Sequence, residues 1–143
     1  MSHRIDDGFS TIIGFSLNGA VKFYEKEVTP PGIDGGGANQ TTTMRNIYWR
    51  TNAPKKLVTL TEADATCAYD PTVFSQILAM VNVNQYITVT YPDLTTVGFW
   101  GWINEFKPNQ IKEGEQPTAN VKIIPSNFNA SLVETAPTVV AGP

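Results

Sequence analysis

The chain has 143 residues, the length of one domain, with 41% apolar and 16% charged residues and a formal net charge of −3. The charged share is below the ~25% of ordinary soluble domains, which fits a surface partly occupied by partners. An acidic balance argues against a generic nucleic-acid binder, which needs a basic stripe. One cysteine, Cys67, leaves no internal disulfide, and no stretch approaches the ~18 apolar residues of a membrane span.

Met1 to Asp7 lacks the apolar run of a signal peptide, so assembly in a reducing cytoplasm is expected. Residues 9–17 read as a first strand. Asn18-Gly19 supplies the positive φ of a type I′ turn, so a hairpin with a second strand over 20–29 is expected. Alternation in that strand sets Val21, Phe23, Glu25 and Glu27 against Lys22, Tyr24, Lys26 and Val28.

Residues 29–54 break all periodicity. Loops longer than ~12–15 residues are uncommon in compact domains and are usually functional or disordered. This one holds Ile47, Tyr48 and Trp49 between Arg45 and Arg50. Tyr, Trp and Arg anchor interfaces, which favours a partner contact over packing back onto the subunit's own core. The Gly35-Gly36-Gly37 run is not followed by Gly-Lys-Ser/Thr and is no phosphate cradle.

Lys55 to Tyr69 reads as one long strand whose outer face turns acidic at Glu62 and Asp64. Asp70-Pro71 is a helix start, with Asp as N-cap and Pro at the first helical position. The helix is expected over 71–81, with Val73, Phe74, Ile77, Leu78 and Val81 at helical spacing. No charged residue lies between Pro71 and Asn84. An exposed helix normally carries charge opposite its apolar stripe, so Ile77 and Met80 are expected at a subunit contact.

Residues 85–91 and 95–107 read as two strands joined by a turn at Pro92-Asp93. The second is apolar on both faces, with Val97, Phe99 and Ile103 on one side and Trp100, Trp102 and Phe106 on the other. One-sided antiparallel strands alternate with polar residues, so Trp100 and Trp102 are expected under a second cover, at a subunit interface. Gly98 and Gly101 mark a bend or a close backbone approach. Residues 109–117 form a polar loop and 118–124 the last strand. The expected organisation is a β domain over 1–127 and an extended C-terminal arm over 128–143.

Catalytic chemistry is sparse. No Cys/His cluster is present, and His3 stands alone near the terminus. Glu25, Glu27, Glu62, Asp64, Glu105, Glu113 and Glu115 would make a glycosidase only if two faced each other across a cleft. Carboxylates on a solvated strand face are commoner, so no enzyme, metal or cofactor is expected.

Several phrases carry a family resemblance: the Asn18-Gly19 hairpin, the loop ending Trp49-Arg50-Thr51-Asn52-Ala53-Pro54, and Tyr69-Asp70-Pro71 opening the helix. Phe99-Trp100-Gly101-Trp102 and Gly114-Glu115-Gln116-Pro117-Thr118-Ala119-Asn120-Val121 complete the set. Over roughly residues 8–127 the chain resembles the major tail tube proteins of tailed bacteriophages. The resemblance implies a mainly β (α+β) fold, an antiparallel sandwich or barrel with one flanking helix and a long inter-subunit loop. It also implies hexameric rings stacked into a hollow tube, through which genomic DNA passes into the host.

On that resemblance the partners are the chain itself and other tail proteins, without a membrane, and the location is the virion. Arg45, Ile47, Tyr48, Trp49 and Arg50 would bridge rings, and the terminal arm would bridge subunits. Glu25, Glu27, Glu62 and Asp64 would line the lumen, whose acidic character repels phosphates and lets DNA slide. Six chains of −3 give −18 per ring. Two other readings stand beside it. One is the related tube of a contractile injection system. The other is a monomeric carbohydrate-binding sandwich with Trp49, Trp100 and Trp102 as a sugar platform.

Overall fold

The structure is a computed structural model that describes residues 11–17 and 24–141. Its elements are strands β1 (Ile12–Phe15), β2 (Tyr24–Thr29), β3 (Ile33–Asp34), β4 (Ala38–Gln40), β5 (Asn52–Pro54), β6 (Thr59–Leu60) and β7 (Ala63–Ala68). Helix α1 (Pro71–Ile77) follows, then β8 (Gln85–Thr90), β9 (Thr96–Pro108), β10 (Thr118–Pro125) and β11 (Thr138–Val140). All ladders are antiparallel. The main sheet runs β1-β8-β9-β10-β7-β2, with β11 added to β9, and β3-β6 and β4-β5 form two small ladders.

The sheet curls until its outer strands touch. The Ile13 amide on β1 donates to Glu25 Oε1 on β2 at 3.1 Å. No backbone ladder joins these two strands among the described residues, so the result is an open, sandwich-like roll and not a closed barrel. The expected hairpin turn at Asn18-Gly19 lies outside the described residues. Within them, β1 pairs with β8 and β2 with β7, at opposite ends of the strand order.

The concave side of the roll holds the core. Strict alternation fills it from β8 (Ile87, Val89), β10 (Ala119, Val121, Ile123) and β7 (Ala63, Ala65, Cys67). From β1 come Ile13 and Phe15, and from β9 come Phe99 and Ile103. Burying each large apolar side chain contributes about 1.5–3 kcal/mol. Helix α1 closes the open side with Val73 and Ile77, and Phe74 meets Phe106 at 5.8 Å between ring centres.

The helix begins where expected. Asp70 Oδ1 accepts from the Thr72 amide at 2.9 Å, and Pro71 opens the first turn. It stops at Ile77, short of the expected 81, and continues as a turn in which the Met80 amide donates to the Ile77 carbonyl at 2.8 Å. This tighter turn drives Met80 into the core, where it is 3% exposed, and leaves Leu78 67% exposed.

Two β-bulges shift faces in a way strand parity does not foresee. In β9 the register passes from Ile123↔Ile103 to Lys122↔Glu105, so Asn104 is the extra residue. Phe106 therefore joins Ile103 on the core side and does not share a face with Trp100 and Trp102; it packs against Tyr69 at 6.3 Å. In β2 the register passes from Glu25↔Cys67 to Glu27↔Thr66, with Lys26 extra. Glu25 turns inward beside Cys67 while Glu27 faces out.

The glycines of β9 mark close approaches. A Cβ on Gly98 would meet the Tyr86 hydroxyl, which lies over it and pairs with Thr138 Oγ1 at 2.7 Å. A Cβ on Gly101 would stand 2.6 Å from the Ile124 carbonyl oxygen. The expected strand over 55–69 is two pieces. Residues 55–58 leave the sheet, β6 pairs with β3, and only β7 enters the main sheet. The C-terminal segment folds back along its own subunit, with β11 extending the β9 edge.

Candidate functional site

The region expected as an irregular loop is a built arm. At its base Ile33 pairs with Leu60 and Asp34 with Thr59. The Thr61 amide donates to the Gly32 carbonyl at 2.8 Å, and the Gly32 amide donates to Thr61 Oγ1 at 2.7 Å. Gly36 and Gly37, at φ 83° and 84°, turn the chain between β3 and β4 in a region that side-chain-bearing residues rarely adopt. Beyond the bend, Ala38 to Gln40 pair with Pro54 to Asn52.

Short polar side chains fix the tip. Thr41 and Thr51 bond through their backbones at 3.0 Å and their hydroxyls at 3.0 Å. Thr42 Oγ1 accepts from the Thr51 amide at 3.0 Å. Asn46 Oδ1 accepts from the Thr43 amide at 2.8 Å, and Asn46 Nδ2 donates to the Trp49 carbonyl at 2.8 Å. Thr and Asn hydrogen-bond nearby backbone readily, which is why this run makes a defined turn without a core.

That turn holds apolar side chains in solvent. Met44, Ile47, Tyr48 and Trp49 are 103%, 82%, 88% and 81% exposed, with Arg45 and Arg50 exposed beside them. The reading in which Tyr48 and Trp49 pack onto the subunit's own core is excluded. The Thr/Asn network thus holds an ordered backbone that presents large apolar groups to water.

The other expected contact residues divide. Ile77 and Met80 are 2% and 3% exposed, so their side chains are core and not surface, and the exposed apolar group of this element is Leu78. Trp100 and Trp102 are half-buried on the outer face of β9. Trp100 meets Tyr86 edge-on at 5.7 Å, and its carbonyl accepts from the Ser126 amide at 2.8 Å. The second cover expected over β9 therefore comes in part from the chain itself.

The expected acidic residues also divide. Glu27, Glu62, Asp64 and Glu105 share the convex face of the sheet with Lys107 and Lys122, which leaves that face net acidic. Lys122 lies opposite Asp64 on one side and Glu105 on the other, and its Nζ is 3.4 Å from Glu62 Oε2. A half-exposed pair of this kind is worth ~0–1 kcal/mol, so the row orders the face more than it stabilises the fold.

Glu25 is the exception. Burial pushes its carboxyl above the usual range, and the hydrogen bond from Ile13 partly offsets this. It joins the two sheet edges and is no part of the acidic face. Burial, and then the Glu25 charge, push the Cys67 thiol up to about 11. A thiol so protonated is no nucleophile at neutral pH. Among the described residues no group of His, Cys, Asp or Glu is placed to hold a metal ion, and no helix is long and apolar enough to cross a membrane.

Among the solved structures that share this architecture, two are informative. One is a chain of the virion of the native gene transfer agent particle, with a TM-score of 0.62, 10% identity, and coverage of 94% of this chain and 98% of that one. The other is a chain of the anti-feeding prophage baseplate, described as 6-fold symmetrised. It has a TM-score of 0.58, 7% identity, and coverage of 92% and 91%. What is shared is the fold. No protein-family model and no curated protein matches the sequence.

Proposed function

We propose that this chain is a structural, non-catalytic subunit of a phage tail-type particle, one that forms hexameric rings stacked into a hollow tube for DNA. It would assemble in the host bacterial cytoplasm, together with other tail proteins, and reside in the virion. The observation that carries this reading is the arm, whose ordered tip exposes Met44, Ile47, Tyr48 and Trp49. Support comes from the shared fold, since both similar chains belong to large particles and one is described with 6-fold symmetry.

In this reading the arm reaches a neighbouring ring, with Ile47, Tyr48 and Trp49 as anchors and Arg45 and Arg50 beside them. Trp100, Trp102 and Leu78 serve contacts around the ring. The convex sheet face, with Glu27, Glu62, Asp64 and Glu105, lines the lumen, and its net negative charge keeps the duplex from binding. Glu25 leaves the lumen set because it points inward.

Negative-stain electron microscopy of the concentrated protein tests this. Rings or hollow tubes are expected. Uniform single subunits whose tryptophan fluorescence responds to glycans would instead favour a carbohydrate-binding module. The similarity to the anti-feeding prophage chain favours one second reading, a tube of a contractile injection system with protein cargo. Purified tubes that retain protein in the lumen and exclude duplex DNA would select it.

A further inference from the structure

The arm base and the C-terminal segment enclose a cleft of about 150 Å³. Ile33, Val58 and Leu60 line one side, and Ala136 and Pro137 line the other. An apolar space of that volume takes one aromatic ring. Its single ionisable lining residue is Glu134. Asn127, also in the lining, has a buried Oδ1 that accepts no hydrogen bond among the described residues.

The arm tip carries the complementary set. It has the rings of Tyr48 and Trp49, and the indole N–H of Trp49 as a donor. It has the cations Arg45 and Arg50, and residues 41–51 contain no carboxylate. The tip does not occupy the cleft of its own chain, because its apolar side chains stand free in solvent. The ladders hold it away: the seven steps from Asp34 to Thr41 span up to ~23 Å at ~3.3 Å per residue.

Resting on the assembly reading, we propose that the Trp49 ring of one copy seats in this cleft on a second copy. Arg45 or Arg50 of the first copy pairs with the exposed Glu134 at the cleft rim. Tip and cleft are different surfaces of one chain. Their contact is heterologous, so it leaves a free tip and a free cleft at the two ends and extends copy by copy.

Glu134→Arg places a cation against the basic tip, and Ala136→Trp fills the cleft. Both positions are exposed, so the fold is retained, which circular dichroism checks. Like charges brought together at an interface are strongly disfavoured, so the concentration needed for tube growth is expected to rise about ten-fold or more in each variant. Combining Glu134→Arg with Arg45→Glu and Arg50→Glu is expected to bring it back toward wild type. Tubes growing at the wild-type concentration in both single variants would overturn the cleft as receptor and leave the assembly reading standing. Absence of rings and tubes from the wild-type chain would overturn the assembly reading itself.

Discussion

Trp49→Ala separates the two roles a large apolar residue can have. In the free subunit Trp49 is 81% exposed, so about a fifth of its surface is covered. A large aromatic buries ~150–250 Å² when fully covered, worth ~4–6 kcal/mol at ~25 cal/mol per Å². The covered fifth then accounts for ~1 kcal/mol at most, while about four-fifths of the term is available to a partner. Removing the ring should change the folding stability by less than ~1 kcal/mol, close to an ordinary surface substitution. It should weaken ring stacking by ~2–4 kcal/mol per contact, the range of an interface hot spot and ~30–1,000-fold in affinity. Urea denaturation followed by circular dichroism measures the first term, and light scattering across a concentration series measures the second. A subunit destabilised by more than ~2 kcal/mol, with assembly unchanged, would show that Trp49 is a folding residue and refute the reasoning.

Five further outcomes follow from other parts of the structure. Gly101→Ala puts a methyl 2.6 Å from the Ile124 carbonyl, and overpacking of this kind should cost ~1–3 kcal/mol in a denaturant melt. Asp70→Ala removes the α1 cap and should cost about 1 kcal/mol by the same assay. Cys67 should resist alkylation at neutral pH. Because its folded value is raised, its stabilising contribution is full below the ordinary thiol range and is lost as pH rises toward about 11. Glu25→Gln should keep the Ile13 hydrogen bond yet lower the pH at which Cys67 reacts, read by thiol titration; an unchanged profile would remove the Glu25 charge as a cause. Glu62→Lys with Asp64→Lys should slow DNA transit in assembled particles, and unchanged infectivity would take both residues off the lumen face.

Much of this fold could be read from the residues alone. The alternation of Ile87 and Val89, of Phe99 and Ile103, and of Val121 and Ile123 sets the core faces of β8, β9 and β10. Asp70-Pro71 sets the start of α1. What could not be read depends on pairing between distant strands. The bulges at Lys26 and Asn104 are visible only in the register with β7 and β10, and each reverses the face of a residue that parity assigns, Glu25 in one case and Phe106 in the other. The early end of α1 has a similar source: Met80 carries the periodic pattern but enters the core through a tighter turn.

The arm was legible in part. Its aromatic and basic composition sets it apart from a plain linker, whereas its ladders rest on two- and three-residue pairings too short to show periodicity. The Thr and Asn run of 41–51 is the signal that could have revealed its order, because these side chains bond neighbouring backbone. The cleft at its base joins Val58 to Ala136 across a large sequence separation, and no local pattern announces it.

The central claim is that the arm links rings of this chain. The most direct test compares native mass distributions of the concentrated wild-type protein with those of a chain in which residues 36–57 are replaced by Asn-Gly. A two-residue turn keeps the Asp34↔Thr59 pairing. The account predicts multiples of a ring mass, six times 15.6 kDa or about 94 kDa, for the wild type, and only a single, lighter ring for the armless chain, which is twenty residues shorter. Identical distributions for the two chains, stacked or monomeric, would contradict it.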